Sequence, residues 1–277
     1  MNKFISVSCC LILCFAFTIV NGQNANSGAL IGQDSNKHKV MIIPFDQYNY
    51  FSDADPELAE KNEKPVTDIS RLFRYGLNYN ISARVISTNE TYNILTDTTV
   101  QSATDLKMIY ASITYRFEHP MNVVKGDSVG KAVAQPDLFG NGVMEEEKKE
   151  KNNPFKKKSE DEAEKNAKYL NAVITHPEIF TGLQQKYGTD LFLFINQFEL
   201  VTNYNHCLDR SANYFERKVV VHYSIYDANA KQLQGGAHTV TFSSGETNVD
   251  KIIATQFPLV ADYLSTAIAD VSKPVIK

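Results

Sequence analysis

The clearest pattern in this chain is an alternation of apolar runs with amphipathic segments. Residues 39–45 and 191–195 are almost continuously apolar, which predicts two strands that are buried on both faces of a sheet. The second run becomes mixed toward residue 201, as expected for a strand that leaves the centre of a sheet. Over 67–81, four apolar residues recur at a spacing of four, which predicts a helix with one apolar face.

Shorter elements are predicted from capping and turn residues. Asp55-Pro56 indicates the start of a short acidic helix that ends near Lys61. The remaining predictions in this part of the chain are a strand over 82–87, a helix that begins at Thr104 or Asp105 and reaches Ile113, a strand over 170–175, and a helix over 177–187 that ends at a left-handed glycine, Gly188.

The C-terminal third predicts a hairpin and one long closing helix. Strands over 218–226 and 232–242 flank a turn whose Asp and Asn residues favour a reversal of the chain. A polar loop is expected over 202–216. The helix over 249–271 has an apolar face and contains Pro258, which is expected to kink or start it. Together the elements predict an α/β (α+β) fold, with helices packed on a mixed β-sheet.

The first 22 residues have the three parts of a secretory signal peptide. Lys3 gives the charged start, residues 4–20 form the apolar segment, and small residues precede a predicted cleavage ahead of Gln23. Two alternatives stay open. The apolar segment is close to the minimum length of a membrane anchor, and its cysteines lie in the region of a lipoprotein cysteine, although bulky residues precede Cys14.

The rest of the chain predicts one domain with an unusual insertion. Residues 23–37 are small and polar and predict a flexible tether, and residues 38–277 predict a single α/β domain. Within it, about 121–167 form an insertion, whose segment 145–165 holds eight acidic and seven basic residues. Such a segment buries too little apolar surface to offset its ordering entropy, so a mobile, solvated insertion is favoured over a partner-binding arm.

Charge and cysteine content exclude several classes of protein. Removal of residues 1–22 leaves 27 Lys and Arg against 32 Asp and Glu, a net charge of −5. This predicts no nucleic-acid partner and no attraction to anionic lipid. Only Cys207 remains of four cysteines, which argues against a disulfide-built module. No further apolar run predicts a transmembrane segment in the mature chain.

The first candidate site is the loop after the first strand. Ligand sites in open α/β sheets favour the carboxyl ends of strands, and this loop combines carboxylates with aromatic rings. The candidate ligand-binding residues are Asp46, Tyr48, Tyr50, Asp53 and Asp55. Carboxylates at 53 and 55 suit a hard cation such as calcium. The alternative is that these two residues cap the following helix.

The second candidate site is a pair of histidines on the hairpin, His222 and His238. If the turn centres on Asn229, residue 222 faces residue 236, and the two histidines become diagonal neighbours within reach of one metal ion. A register shift of one residue would separate them. The alternative is that both histidines are structural. The chain has no hydrolase, phosphate-binding or paired-cysteine zinc motif, and no cofactor is predicted.

Three segments carry a resemblance to known proteins. They are VMIIPFD at 40–46, LFLFINQFEL at 191–200 and VVVHYSIYDANAKQLQGG at 219–236. In pattern they resemble the periplasmic α/β domains of the TolB N-terminal domain, the curli exporter CsgG and the penicillin-binding-protein activator LpoB. The chain is also similar to exported proteins of the Bacteroidetes, through Val-x-x-x-Pro-Phe followed by an acidic residue, and through a strand that ends Phe-Ile-Asn-Gln.

The resemblance implies an envelope role, and with the signal peptide it favours a place in the periplasm or at the outer membrane of a Gram-negative bacterium. We expect an exported cell-envelope protein that acts as a non-enzymatic binding or assembly module. Its expected partner is another envelope protein or an envelope polymer. The alternatives are an exported metal-dependent hydrolase and a subunit of a homo-oligomeric envelope complex.

Overall fold

The fold is built around the apolar run that begins at residue 39. In the computed structural model, which describes residues 37–120 and 168–273, this run forms β1 (Lys39–Ile43), between β3 (Glu90–Asn93) and β6 (Leu191–Asp209) and parallel to both. The antiparallel strands β7 (Tyr214–Asp227) and β8 (Gln232–Ser243) extend the sheet, and β2 (Tyr50–Ser52) pairs with β6 beyond the end of β1. The predicted mixed sheet is confirmed.

Helices cover one face of the sheet, and helices and a small second sheet cover the other. The first face carries α1 (Asp55–Lys61), α2 (Val66–Val85) and α5 (Val249–Val271). The second carries α3 (Val100–Ala111), α4 (Glu178–Tyr187) and an antiparallel pair, β4 (Ile113–Glu118) and β5 (Tyr169–Ile174). Because both faces are covered, alternate residues of β1 are buried in different clusters, and the strand is apolar throughout.

The two long helices α2 and α5 pack together on the first face of the sheet. The predicted apolar stripe of α2 is buried and continues through Val85. Helix α5 has the predicted bounds, with Pro258 inside it rather than at its start. By length and composition alone α5 is also apolar enough to cross a membrane, which is weak evidence because core helices pass the same test. Its buried residues, such as Phe257 and Leu264, belong to the cluster between this face of the sheet and α2.

Several predicted boundaries were wrong around residues 82–118. The predicted strand over 82–87 is mostly the last turn of α2, because Val85 continues the four-residue stripe and packing overrides the strand preference of β-branched residues. The strand that pairs with β1 is instead β3, which lies later in the chain. Its sequence, ETYN, is so polar that it gave no signal of a strand. Helix α3 begins at Val100, capped by Thr99, and Ile113 belongs to β4, a strand that was not predicted.

The predicted polar loop over 202–216 was also wrong. Strand β6 continues to Asp209 and β7 begins at Tyr214, so these residues form a two-stranded ribbon. The last residue of β7 that pairs with β8 is Glu216, opposite Ser243. Beyond it, Phe215 still exchanges hydrogen bonds with Ser244, at 2.8 and 2.9 Å, and the rest of the ribbon pairs β6 with β7. Its side chains alternate without an apolar face because most of them meet solvent on both sides.

Two predicted chain reversals are confirmed. Gly188 ends α4 with a φ of 68°, a left-handed conformation that favours glycine. In the turn between β7 and β8, the Asp227 carboxylate accepts hydrogen bonds from the backbone N–H groups of Asn229 and Lys231, each at 2.9 Å. The predicted signal peptide over 1–22, nearly all of the tether over 23–37 and the insertion over 121–167 lie outside the described residues.

Candidate functional site

The most distinctive backbone feature lies where the first strand is interrupted. β1 stops at Ile43, because Pro44 cannot donate to a ladder, and β2 resumes pairing with the same neighbour, β6, at Tyr50. The six residues between them leave the sheet and include a 3-10 turn over Gln47–Asn49. The interruption places backbone carbonyl groups and side chains at the carboxyl end of β1, where ligand sites of open sheets occur.

Side chains from the helices of both faces hold this loop in place. Arg74 of α2 donates through Nε to the carbonyl oxygen of Phe45 at 2.9 Å and through Nη2 to the Tyr110 hydroxyl of α3 at 2.8 Å. The Tyr110 hydroxyl donates in turn to the carbonyl oxygen of Pro44 at 2.8 Å. Burial raises the pKa of Tyr110 to about 12, so this hydroxyl stays protonated as a donor at neutral pH.

An aromatic stack supports the inner wall of the loop. The Tyr50 ring lies nearly parallel to Phe198 of β6, with ring centroids 5.5 Å apart, and also stacks on Phe45 at 5.9 Å. The Tyr50 hydroxyl donates to the Asp55 carboxylate at 2.7 Å. Burial, and then the contact with Asp55, raises the pKa of Tyr50, and burial raises the pKa of Asp55. Tyr50 therefore anchors the start of α1 to the sheet.

A cleft of about 370 Å³ opens between this loop and the first three turns of α2. Its lining combines two guanidinium groups with aromatic rings, hydroxyl groups and one carboxylate: Phe45, Gln47, Tyr50, Thr67, Asp68, Ser70, Arg71, Arg74 and Tyr75. Asp68 is paired with Arg71 at 3.1 Å. Because the lining holds two arginines and one aspartate, its net charge is positive, although the whole chain carries −4.

The lining is rich in hydrogen-bond donors. Guanidinium groups and hydroxyl groups are donors that match carboxylate oxygens, and the rings of Tyr50 and Tyr75 offer apolar surface. The one carboxylate of the lining, Asp68, is already paired with Arg71.

Only one of the five predicted ligand-binding residues, Tyr50, lines the cleft. Asp46 accepts from the backbone N–H of Tyr48 at 3.2 Å and caps the 3-10 turn, and the side chain of Tyr48 is exposed. The structure does not bring Asp53 and Asp55 together around a cation, because each binds a different partner. Neither caps α1 through its side chain, since the N-cap is Ala54.

Asp53 joins the β2 end to β6. Its carboxylate accepts from the backbone N–H of Thr202 at 2.9 Å and from the Thr202 hydroxyl at 3.1 Å. That hydroxyl also accepts from Nε of Arg217, a buried residue of β7 whose Nη2 binds Glu57 of α1 at 2.7 Å. The acidic residues that follow the loop therefore fasten α1 to the sheet.

The predicted proximity of the two histidines was wrong. The hairpin pairs His222 with Ala237 and His238 with Val221, one residue away from the predicted register, and a shift of one residue moves side chains to opposite faces. His238 stacks on Tyr263 of α5, with ring centroids 4.0 Å apart, and burial lowers its pKa. His222 lies on the other face, toward β5.

The ring nitrogens of His222 are both engaged. Nδ1 accepts from the backbone N–H of Leu170 at 2.8 Å, which leaves the proton on Nε2, 3.4 Å from the Glu199 carboxylate. A metal would have to displace one of these partners. Within residues 37–120 and 168–273, no three His, Cys, Asp or Glu side chains form a group that could hold a metal ion. Cys207 is half-buried in the ribbon, opposite Phe215.

The sequence gave no prediction for a buried carboxylate beneath α4. Asp105 of α3 is 2% exposed and accepts hydrogen bonds from Lys186, Tyr187 and Gln101. Burial opposes ionisation of this carboxyl group, but the three donors outweigh burial and lower the pKa of Asp105. The group joins α3 to α4, and nothing in its geometry opens it to a ligand.

The cleft residues of α2 escaped prediction for a physical reason. Arg71, Arg74 and Tyr75 lie off the apolar stripe of an amphipathic helix, and such residues normally face solvent. The available signal was the position of two arginines within the first three turns of α2, the first long helix after the first strand. That position places them beside the carboxyl end of the strand.

Comparison with known proteins adds no functional assignment. No protein-family model matches the chain, and no curated protein matches it significantly. The arrangement of the described residues defines an α/β protein with a preformed cationic cleft.

Proposed function

We propose that this chain is an exported, non-enzymatic binding module of a Gram-negative cell envelope, and that its cleft receives a carboxylate group of an envelope protein or envelope polymer. The observation that carries the proposal is the lining of the cleft, which combines Arg71 and Arg74 with a single carboxylate, Asp68, that Arg71 already pairs. The predicted signal peptide over 1–22 supports the export.

Preorganisation supports binding as the role of this cleft. Arg74 is fixed by two hydrogen bonds, so little side-chain entropy is lost when a ligand reaches the wall that it forms. The Arg71 side chain is 65% exposed, and within residues 37–120 and 168–273 its only ion-pair partner is Asp68. It can therefore turn to an incoming carboxylate, and because the site is open its contribution depends on salt.

Calorimetric titration of the exported chain with an oligoglutamate peptide, polygalacturonate and neutral dextran tests the proposal. We expect binding of at least one acidic probe, weaker at high salt, and no binding of dextran. The peptide and the polygalacturonate separate a protein partner from an acidic polymer. Arg71→Gln should weaken binding about fivefold, the equivalent of about 1 kcal/mol.

Arg84→Gln is the matched control, because Arg84 lies on the same helix, is similarly exposed and pairs with Asp262 of α5, away from the cleft. Equal weakening by both substitutions would show non-specific attraction and contradict the proposed cleft. Failure of both acidic probes to bind would contradict the ligand chemistry. Intact-mass measurement of the secreted chain checks the export separately, with cleavage expected ahead of Gln23.

A further inference from the structure

The main sheet ends in two edge strands of very different character. An edge strand presents unpaired backbone N–H and C=O groups, which can pair with another strand, and proteins commonly protect such edges. β3 is four residues long and begins with Glu90, so it is protected by its short length. β8 is twelve residues long and forms the opposite edge.

β8 lacks the usual protection of an edge. Its sequence, QLQGGAHTVTFS, contains no Asp, Glu, Lys, Arg or Pro. Its pairing with β7 runs without a register shift from Gln234 to Ser243, so no bulge twists that stretch away. Among the described residues, the one backbone group outside β7 that pairs with this stretch is the N–H of Glu246, which donates to the carbonyl oxygen of Ser243 at its very end. A long, regular and uncharged edge therefore remains open for strand addition.

Exposed apolar side chains of α5 lie beside this edge. His238 of β8 stacks on Tyr263, which places that ring over the edge strand, and Tyr263 is 38% exposed. Leu259 lies one helical turn before it, on the same side of α5, and is 51% exposed. An isolated extended peptide would satisfy the backbone of β8 but would leave these two side chains in water.

We propose that β8 pairs antiparallel with β8 of a second copy of this chain, so that the two main sheets become continuous. Two antiparallel neighbours in a sheet are related by a two-fold axis normal to it, which sets both α5 helices side by side on the same face. Leu259 and Tyr263 of each copy are then covered by the other copy. An uncharged edge is self-complementary, because no like charges meet across the axis.

Sedimentation equilibrium of the exported chain from about 10 to 500 µM tests this dimer. We expect a dimer, and we expect Thr239→Lys and Leu259→Lys each to raise its dissociation constant about tenfold or more. Thr239 is exposed in the middle of the open stretch, and Leu259 belongs to the helix surface. Thr114→Lys is the control, since Thr114 is equally an exposed strand threonine, but in β4.

Unfolding midpoints of the dilute variants establish that each one folds. A wild-type chain that is monomeric at 500 µM overturns the dimer, and so does a dimer that is insensitive to either substitution. Hydrogen exchange gives a second readout, because the outward amides of β8 should become protected as concentration rises. Protection of those amides that is independent of concentration would also overturn the proposal.

Discussion

Replacement of His222 tests whether this residue holds the fold together or is available to a ligand. Nδ1 of His222 is the acceptor for the backbone N–H of Leu170, and this contact joins β5 to the main sheet. His222→Ala leaves that buried N–H without a partner, which costs about 1–3 kcal/mol. The lost packing of a ring that is 5% exposed brings the expected loss to about 2–4 kcal/mol.

Urea unfolding followed by circular dichroism measures this effect. With a slope of about 2–3 kcal/mol per molar urea, the midpoint should fall by about 1 M. His222→Asn places a carbonyl oxygen near the position of Nδ1 and should recover most of the loss. His238→Ala is the comparison on the opposite face, where loss of one aromatic stack should cost only about 0.5–1.5 kcal/mol.

Two results would refute this reasoning. One is a His222→Ala variant as stable as the wild type, which would mean that the Leu170 N–H finds another partner. The other is an increase of the wild-type midpoint on addition of zinc that His222→Asn abolishes, because a ligand bound only by the native state must raise stability. That second result would restore the metal site predicted from the sequence.

Three further predictions concern the scaffold. The pKa of Asp105 is lowered in the folded state, so its carboxylate stabilises the fold above the ordinary pKa of 3.8, and this contribution disappears as the pH falls through the lowered value. When the free energy of unfolding is measured against pH in acid, its decrease should therefore be shallower for Asp105→Asn than for the wild type. Thr99→Ala should cost about 1 kcal/mol in urea unfolding through loss of the α3 cap, whereas its exposed neighbour should tolerate Thr98→Ala, and equal effects would disprove the cap. Gly235→Ala should cost about 1–3 kcal/mol, because the added methyl group meets the Tyr169 hydroxyl, and thermodynamic coupling to Tyr169→Phe should show partial relief; additive effects would locate the clash elsewhere.

The elements whose apolar residues pack into the core could be predicted from the sequence. The stripe of α2 and the run of β1 report their surroundings directly, because each apolar side chain has one place to go. The same holds for Gly188 and Asp227, whose conformational roles are local. These elements depend on short-range physics that the order of residues records.

The cleft depends on contacts that the order of residues does not record. Arg74 and Tyr110 meet only because the β1–β2 loop lies between the helices of two faces. The hairpin shows the same limit, since a shift of one residue in register, invisible in the composition of either strand, separated His222 from His238. Site geometry here is a property of topology and register.

The ribbon at the end of β6 and β7 has a consequence for how this protein can change. Beyond the pair of Glu216 with Ser243, β7 contributes only Phe215 and Tyr214 before the turn, so the outer part extends past β8 by roughly 7 Å. It carries exposed side chains such as Tyr204 and Leu208. Because those side chains contribute little to the core, substitutions near the tip are nearly neutral for stability. The surface of the tip can therefore change in sequence while the folded body stays constant.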